Sequence, residues 1–125
     1  MDATQAARLF DVLSSEARLE IFRLLTKQAP GGLVAGEISK ELNVAATNLS
    51  FHLKALVHGG LASVKREGRF LRYRAEIPAM LGLIGYLTSE CCLGRPEKCL
   101  CQLEALGGPP ICPKPAAKTQ GPEKG

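Results

Sequence analysis

The fold of this chain is decided by residues 45–75, which read AATNLSFHLKALVHGGLASVKREGRFLRYRA. Leucines recur every three or four residues in the first half of this stretch, and their spacing predicts a helix over about Ala45–His58. After two glycines the spacing becomes that of strands, so Leu61–Glu67 and Phe70–Ala75 are predicted to form a hairpin that turns at Gly68-Arg69. The stretch therefore joins a helix directly to a hairpin that is rich in arginine and lysine.

Helical spacing also predicts three helices before this stretch and one after it. The first three are expected at about Ala3–Leu13, Glu16–Lys27 and Ala35–Leu42, with Ser14-Ser15 capping the second. The last begins near Pro78 and is apolar on more than one face, as a helix is when it packs against a partner. The order of four helices, a basic hairpin and a fifth helix predicts a winged helix-turn-helix, a mainly α fold with a β-hairpin wing (α+β).

The fourth predicted helix has one apolar side, formed by Leu49, Leu53, Leu56 and Val57, and a polar opposite side. Hydroxyl and amide groups on the polar side can reach base edges in a DNA major groove, and cations can reach phosphates. In the hairpin, Arg69 at the tip and the cations near it suit phosphates or the minor groove. A solvated helix face and a charged edge strand that resists aggregation are the alternatives. The candidate DNA contacts are Thr47, Asn48, Ser50, Phe51, His52, Lys54, Lys65, Arg66 and Arg69.

The net charge of the chain, +4, is concentrated in the same stretch. Residues 44–75 hold six basic side chains against the single acid Glu67, whereas the segments before and after them are close to neutral. With 125 residues and 13.3 kDa, the chain can form one ordinary domain or a dimer of it. No apolar run approaches the roughly 18 residues that cross a bilayer, so we expect a soluble, cytoplasmic protein.

The cysteines are concentrated in another part of the chain, since all five lie after residue 90. Two are adjacent, and the glycine and proline that follow are expected to end the fifth helix and fold the chain back, which brings a third thiol to the pair. Three thiolates at one point select soft ions over Mg2+ or Ca2+. A structural disulfide is disfavoured without an export signal, whereas a tetrahedral zinc site, a redox switch and a three-coordinate soft-ion site all fit. The clustered cysteines are Cys91, Cys92, Cys99 and Cys101, and Cys112 follows in a segment rich in proline.

Several motifs, taken as a set, resemble the arsenical-resistance (ArsR) family of winged-helix repressors. They are Thr47–Leu56, Gly60-Leu61, Arg66–Arg69 and Tyr73, and the resemblance covers roughly residues 5–92. It implies a cytoplasmic homodimer, joined through its first and last helices, that binds palindromic operator DNA and leaves it when a metal or metalloid binds. The residues of the dimer interface would then be Leu9, Phe10, Leu13, Met80, Leu83, Ile84 and Leu87.

The same resemblance implies a role for the cysteine cluster. In the family, a Cys-Cys pair and a third cysteine at the end of the last helix bind arsenite or antimonite, which implies Cys91, Cys92 and Cys99 as ligands here. Cys99 is preferred to its substitute Cys101 because it needs the shorter fold-back, and Cys112 is expected to be a bystander. The third helix lacks the Cys-x-Cys pair of the family's other arsenite site, and the fifth helix lacks the His and Asp of its interfacial zinc site.

These features predict a repressor that leaves its operator when arsenite or antimonite binds, without an organic cofactor. Residues 1–92 would bind DNA and dimerise, residues 91–106 would bind the ligand, and residues 107–125, rich in Gly and Pro, would be disordered. The alternatives are a thiol redox sensor or a Zn, Cd or Pb sensor on the same fold and, outside regulation, a protein that handles metalloids. No general base, phosphate loop or cofactor motif occurs in the first 90 residues, so we do not expect an enzyme.

Overall fold

The computed structural model describes residues 1–108, apart from the side chains of Pro96, Cys99 and Leu100. Up to the end of the hairpin, its elements follow the predicted order, with one short strand added. Its contacts divide the chain into two compact units, one of residues 1–86 and one of the residues after them. The elements are α1 (Ala3–Val12), α2 (Glu16–Lys27), β1 (Leu33–Val34), α3 (Ala35–Leu42), α4 (Ala46–His58), β2 (Ala62–Glu67), β3 (Phe70–Ala75), α5 (Ile77–Thr88), α6 (Cys91–Gly94) and α7 (Pro96–Ala105).

Local side-chain chemistry fixes the ends of the first helices where the sequence predicts them. Asp2 accepts a hydrogen bond from the Gln5 backbone N–H at 2.9 Å, and the Gln5 side chain accepts one from the Asp2 N–H at 3.0 Å. This reciprocal capping box starts α1. Ser15 Oγ accepts from the Arg18 N–H at the start of α2, and Asn43 ends α3 in the left-handed conformation, at φ 54°. The predicted bounds of α1 to α4 are confirmed to within one residue.

The hairpin is part of a three-stranded antiparallel sheet with the strand order β1-β3-β2. β2 and β3 pair along their whole length, with Glu67 opposite Phe70 and a turn at Gly68, where φ is 65°. The predicted hairpin is confirmed. β1 pairs Leu33 with Tyr73 and is absent from the prediction, because two residues are too few to show an alternating pattern.

A glycine is required just before β1. Gly32 has φ +76°, and a Cβ on it would lie 2.2 Å from the carbonyl oxygen of Tyr73 and 2.7 Å from Cγ of Arg74. The absence of a side chain therefore lets β1 approach β3 closely enough to pair. Arg72 of β3 also donates from Nη1 to the Gly32 carbonyl oxygen at 3.3 Å. The sheet is thereby tied to the segment of chain that leads into α3.

The core of residues 1–86 is mainly aliphatic. Phe22 and Tyr73 are the aromatic side chains buried in it. α4 turns its predicted leucine stripe inward, and Val57 packs against the core while half-buried. The rotation of α4 is therefore fixed, and its polar side faces outward. The largest fully buried side chains are Ile21, Leu25, Ile38, Leu49, Leu53, Leu56 and Leu61.

The region after the hairpin departs from the prediction. α5 ends at Thr88 and not at Gly94, because the hydroxyl-bearing pair Thr88-Ser89 is a weak helix former. In the single turn α6, Cys92 and Leu93 have left-handed φ values of 57° and 60°. The segment predicted to fold back as a loop then contains a ten-residue helix, α7, which begins with a proline at its first turn. The cysteine pair thus lies beyond the last long helix of the first unit and not in its final turn.

None of the helices within residues 1–108 is long and apolar enough to cross a membrane. Most of the segment that we predict to be disordered, from residue 109 to 125, lies outside the described residues, and so does Cys112.

Candidate functional site

The outward side of α4 carries the polar residues that we predicted to contact DNA. With Leu49, Leu53 and Leu56 buried, the helix presents its other side to solvent. His52, on the flank, is half-buried. Hydroxyl, amide and ammonium groups on one regular helix are the arrangement that reads base edges in a major groove. The exposed members of the predicted set on this helix are Thr47, Asn48, Ser50, Phe51 and Lys54.

Two aromatic rings and a guanidinium meet at this flank. The rings of Phe51 and His52 lie edge to face, with centroids 5.6 Å apart and planes at 67°, and Phe51 is 67% exposed. Arg18 of α2 places Nη1 at 3.5 Å from His52 Nδ1, and its Nε donates to the Val12 carbonyl oxygen at 2.6 Å. Sequence patterns do not reveal this contact, because Arg18 and His52 are 34 positions apart.

The hairpin cations fall into two groups. Arg72 Nε lies 2.9 Å from Glu67 Oε1, and Arg74 Nη2 lies 3.9 Å from Glu67 Oε2. These are the two ion pairs found within residues 1–108, and both use the acid that interrupts the basic stretch. The predicted contacts Lys65, Arg66 and Arg69 are exposed. The positive charge of the hairpin that is not paired with Glu67 is therefore exposed on β2 and at the tip.

An apolar groove lies between α4 and the hairpin. Val64 and Leu71 on its hairpin wall are 42% and 40% exposed. The groove has a volume of about 470 Å3, and Lys54 and His58 of α4 contribute to its lining. Both walls of the groove therefore belong to elements that carry candidate DNA contacts.

The structure describes part of the predicted cysteine site. Cys91 is half-buried, Cys92 is exposed, and both are reduced, with their Sγ atoms 3.6 Å apart. Cys99 lies in α7, with its side chain outside the described atoms. Among the described side chains, no three potential ligands form a metal-binding group. The structure describes the Cys91–Cys92 pair, and a ligand role for these two residues and for Cys99 stays a prediction.

The state of Cys101 differs from the prediction. The sequence disfavours a structural disulfide and offers Cys101 as a substitute ligand, whereas Cys101 is disulfide-bonded. A sulfur in a disulfide has no thiolate to offer to an ion, so Cys101 can serve as a ligand only after reduction.

The residues of the predicted dimer interface differ in how deeply they are buried in a single chain. Leu9 and Leu83 are 6% and 7% exposed and already belong to the core of one chain. Leu13 and Met80 pack against that core while half-buried. The remaining three are exposed, which leaves their side chains accessible to a second copy. These residues are Phe10, Ile84 and Leu87.

The family model of a helix-turn-helix domain matches residues 13–65. The HTH-type transcriptional regulator YceK of Bacillus subtilis (strain 168) is 35% identical over 63 residues, which are 50% of this chain and 62% of that protein. A probable mercury resistance operon repressor of Streptomyces lividans is 28% identical over 78 residues, which are 62% of this chain and 60% of that protein. The chain thus spans about three fifths of the length of each of these curated relatives.

Solved structures with the same fold extend the comparison. Reduced HlyU from Vibrio cholerae N16961 is 30% identical, with a TM-score of 0.56 over 68% of this chain and 90% of that chain. An ArsR-like transcriptional regulator from Rhodococcus sp. RHA1 is 27% identical, with a TM-score of 0.58 over 84% of this chain and 94% of that chain. The homodimeric winged helix-turn-helix domain Mb0332 from Mycobacterium bovis is 29% identical, with a TM-score of 0.55 over 71% of this chain and 82% of that chain. The winged fold, the outward-facing α4 and these relatives together place the chain in the ArsR/HlyU family of winged helix-turn-helix transcriptional regulators.

Proposed function

We propose that this regulator is a dimeric repressor that binds operator DNA and releases it when arsenite or antimonite binds Cys91, Cys92 and Cys99. The observation that supports DNA binding is the exposed polar side of α4. The buried leucines hold this side outward, and it lies beside the exposed cations of β2. Lys54, Lys65 and the other exposed cations would meet phosphates, while the hydroxyl and amide groups of α4 would meet base edges.

The dimer half of the proposal is supported by exposed apolar side chains on α1 and α5. Phe10 is 47% exposed, Ile84 44% and Leu87 56%, and pairing with a second copy would cover them. The related Mycobacterium bovis domain is homodimeric. Two copies related by a twofold axis would place their α4 helices in successive major grooves, on a palindromic operator with half-sites about one helical turn apart.

The inducer half rests on the spacing of the two adjacent thiols. If one ion forms bonds of about 2.3 Å to two sulfurs that lie 3.6 Å apart, the S–ion–S angle is about 100°. Cys91 and Cys92 can therefore share one soft ion. Thiolates favour soft ions. The Streptomyces lividans relative is described as a probable mercury resistance operon repressor, and mercury is a thiol-seeking metal. Cys99, eight positions beyond Cys91, is the proposed third ligand.

Release of DNA requires that the inducer favour the state with lower DNA affinity. A coupling free energy of about 1–3 kcal/mol between the two sites would weaken DNA binding roughly 5- to 150-fold.

The test is fluorescence anisotropy with a duplex that the full chain selects from a randomised pool, titrated with arsenite under reducing conditions. Arsenite is expected to weaken binding by the wild type but not by Cys91→Ser, Cys92→Ser or Cys99→Ser. Cys112→Ser is the matched control and should respond like the wild type, as should Cys101→Ser. If Cys91→Ser, Cys92→Ser and Cys99→Ser all respond normally, the site is wrong.

The disulfide at Cys101 favours a second candidate, a regulator that responds to thiol oxidation. Such a protein would lose DNA on treatment with peroxide in the absence of metal and regain it with a dithiol reductant, and Cys101→Ser would abolish the response. A peroxide response that Cys101→Ser leaves intact would count against this candidate.

A further inference from the structure

The side chain of Arg18 connects the end of α1 to the DNA-facing helix. Its Nε donates to the Val12 carbonyl oxygen at 2.6 Å, which holds the guanidinium at the C-terminal end of α1. Its Nη1 reaches across to His52 Nδ1 at 3.5 Å. Because the Arg18 backbone N–H also bonds to Ser15 Oγ, the residue is held at both backbone and side chain. These two hydrogen bonds hold the guanidinium of Arg18 beside the imidazole of His52.

The chemistry of the two groups decides where the imidazole proton lies. A guanidinium stays protonated in proteins and has donors but no acceptor, so Arg18 Nη1 can only donate. His52 Nδ1 must then be the acceptor, and in a neutral ring the proton lies on the other nitrogen, Nε2.

The Nε2–H group is left for an external partner. Within residues 1–108, the contacts of the ring are Arg18 at Nδ1 and the edge-to-face contact with Phe51, and Nε2 has no hydrogen-bond acceptor. His52 lies between the exposed residues Phe51 and Lys54 and the buried stripe of α4. An N–H donor on the flank of a helix with candidate DNA contacts suits a backbone phosphate oxygen, which is an acceptor.

We propose that Arg18 is a positioning residue that holds His52 in its Nε2–H tautomer, so that His52 donates a hydrogen bond to a phosphate of the operator. The DNA contact rests on the proposed function, whereas the tautomer is a property of the free protein. The two halves can therefore be tested separately.

The tautomer is tested by long-range 1H–15N NMR of the imidazoles in the free, full-length protein, at a pH where they are neutral. The Nδ1 of His52 is expected to show the shift of an unprotonated acceptor and Nε2 that of an N–H group. In Arg18→Lys, which keeps the charge, the two shifts should move toward each other as the ring gains freedom. The ring of His58 and the variant Arg23→Lys, on the same helix α2, are internal controls that should not change.

The phosphate contact is tested with two isosteres and the selected duplex. Gln places an amide donor near the position of Nε2, whereas Asn keeps a polar group near Nδ1 only. His52→Asn should weaken DNA binding about 10-fold or more, as expected for loss of a hydrogen bond to a charged group, and His52→Gln should weaken it less. Neither variant removes a lysine or an arginine, so the salt dependence of binding should be unchanged in both, whereas Lys54→Ala should reduce its slope by about 0.9.

A double-mutant cycle tests whether Arg18 acts through His52. Arg18→Lys alone should weaken binding about 2- to 12-fold, the cost of ordering one side chain, and should have no further effect in the His52→Asn background. Thermal unfolding of each variant checks that the fold is kept.

Three results would overturn the proposal: a protonated Nδ1 in the wild type, shifts that Arg18→Lys leaves unchanged, or full DNA affinity in His52→Asn. If the wild type selects no duplex at all, the proposed function fails together with the phosphate contact. The NMR result still decides the role of Arg18.

Discussion

At the residue scale, Gly32 is the glycine within residues 1–108 at which an added methyl group would come nearest to another atom. The position combines φ +76° with a carbonyl oxygen 2.2 Å from where a Cβ would lie, so a side chain would be strained and would also push β1 away from β3. Neither problem can be relieved by a rotamer change, because both concern the backbone.

Gly32→Ala is therefore expected to lower the free energy of unfolding by about 1–3 kcal/mol, measured by urea denaturation of the full chain. Gly36→Ala is the matched control, since Gly36 lies in α3 with nothing within 4 Å of an added Cβ. That variant should be neutral or more stable, by about 0.5–1 kcal/mol. Equal unfolding midpoints for the two variants would contradict the close approach of β1 to β3.

At the scale of elements, the hairpin has fewer accessible cations than its sequence suggests. Glu67 lies beside Arg72 and Arg74, and the strand register places all three on one face of the sheet. The Glu67 and Arg72 side chains are 38% and 28% exposed, so their ion pair contributes little to stability, on the order of 0–1 kcal/mol. Its main effect is on charge, because it neutralises part of the wing.

Glu67→Gln should therefore bind DNA more tightly and steepen the slope of log K against log salt, by about 0.9 for each arginine that reaches a phosphate. The stability of the variant should change by less than about 1 kcal/mol. Glu20→Gln, which removes the same charge from an exposed position on α2, should leave the slope unchanged. If the two variants behave alike, the change reflects net charge and not the pairing of Glu67.

Elements whose ends depend on nearby side chains could be predicted from the sequence. Asn43 ends α3 at the predicted residue, and Gly68 turns the hairpin, because both positions favour the left-handed conformation in their own right. β1 could not be predicted, since it exists through pairing with Tyr73, far away in sequence. In the same way, the side of α4 that faces solvent followed from periodicity, whereas the contact between Arg18 and His52, 34 positions apart, did not.

At the scale of the whole molecule, the proposed operator binding depends on two copies acting together. A single α4 contacts one half-site, and joining two copies makes the second contact intramolecular. The exposed Ile84 on α5 is a side chain that the interface between the two copies would cover.

Ile84→Asp is expected to give a monomer by analytical ultracentrifugation and to weaken operator binding by about 100-fold or more, because the second half-site contact is lost. Leu19→Asp is the matched control, since Leu19 on α2 is 42% exposed, close to the 44% of Ile84, and is not in the predicted interface. It should remain a dimer with unchanged affinity. A dimeric Ile84→Asp would place the interface elsewhere.

The side chain of Arg72 also has a mechanical consequence. It contacts Glu67, next to the hairpin turn, and the Gly32 carbonyl, at the root of the sheet. β1 pairs with β3 at that root and continues directly into α3. One side chain therefore joins the turn end of the hairpin to the root of the sheet. If the wing meets a DNA backbone as proposed, a displacement of the hairpin would therefore also shift the start of α3, the helix that precedes α4.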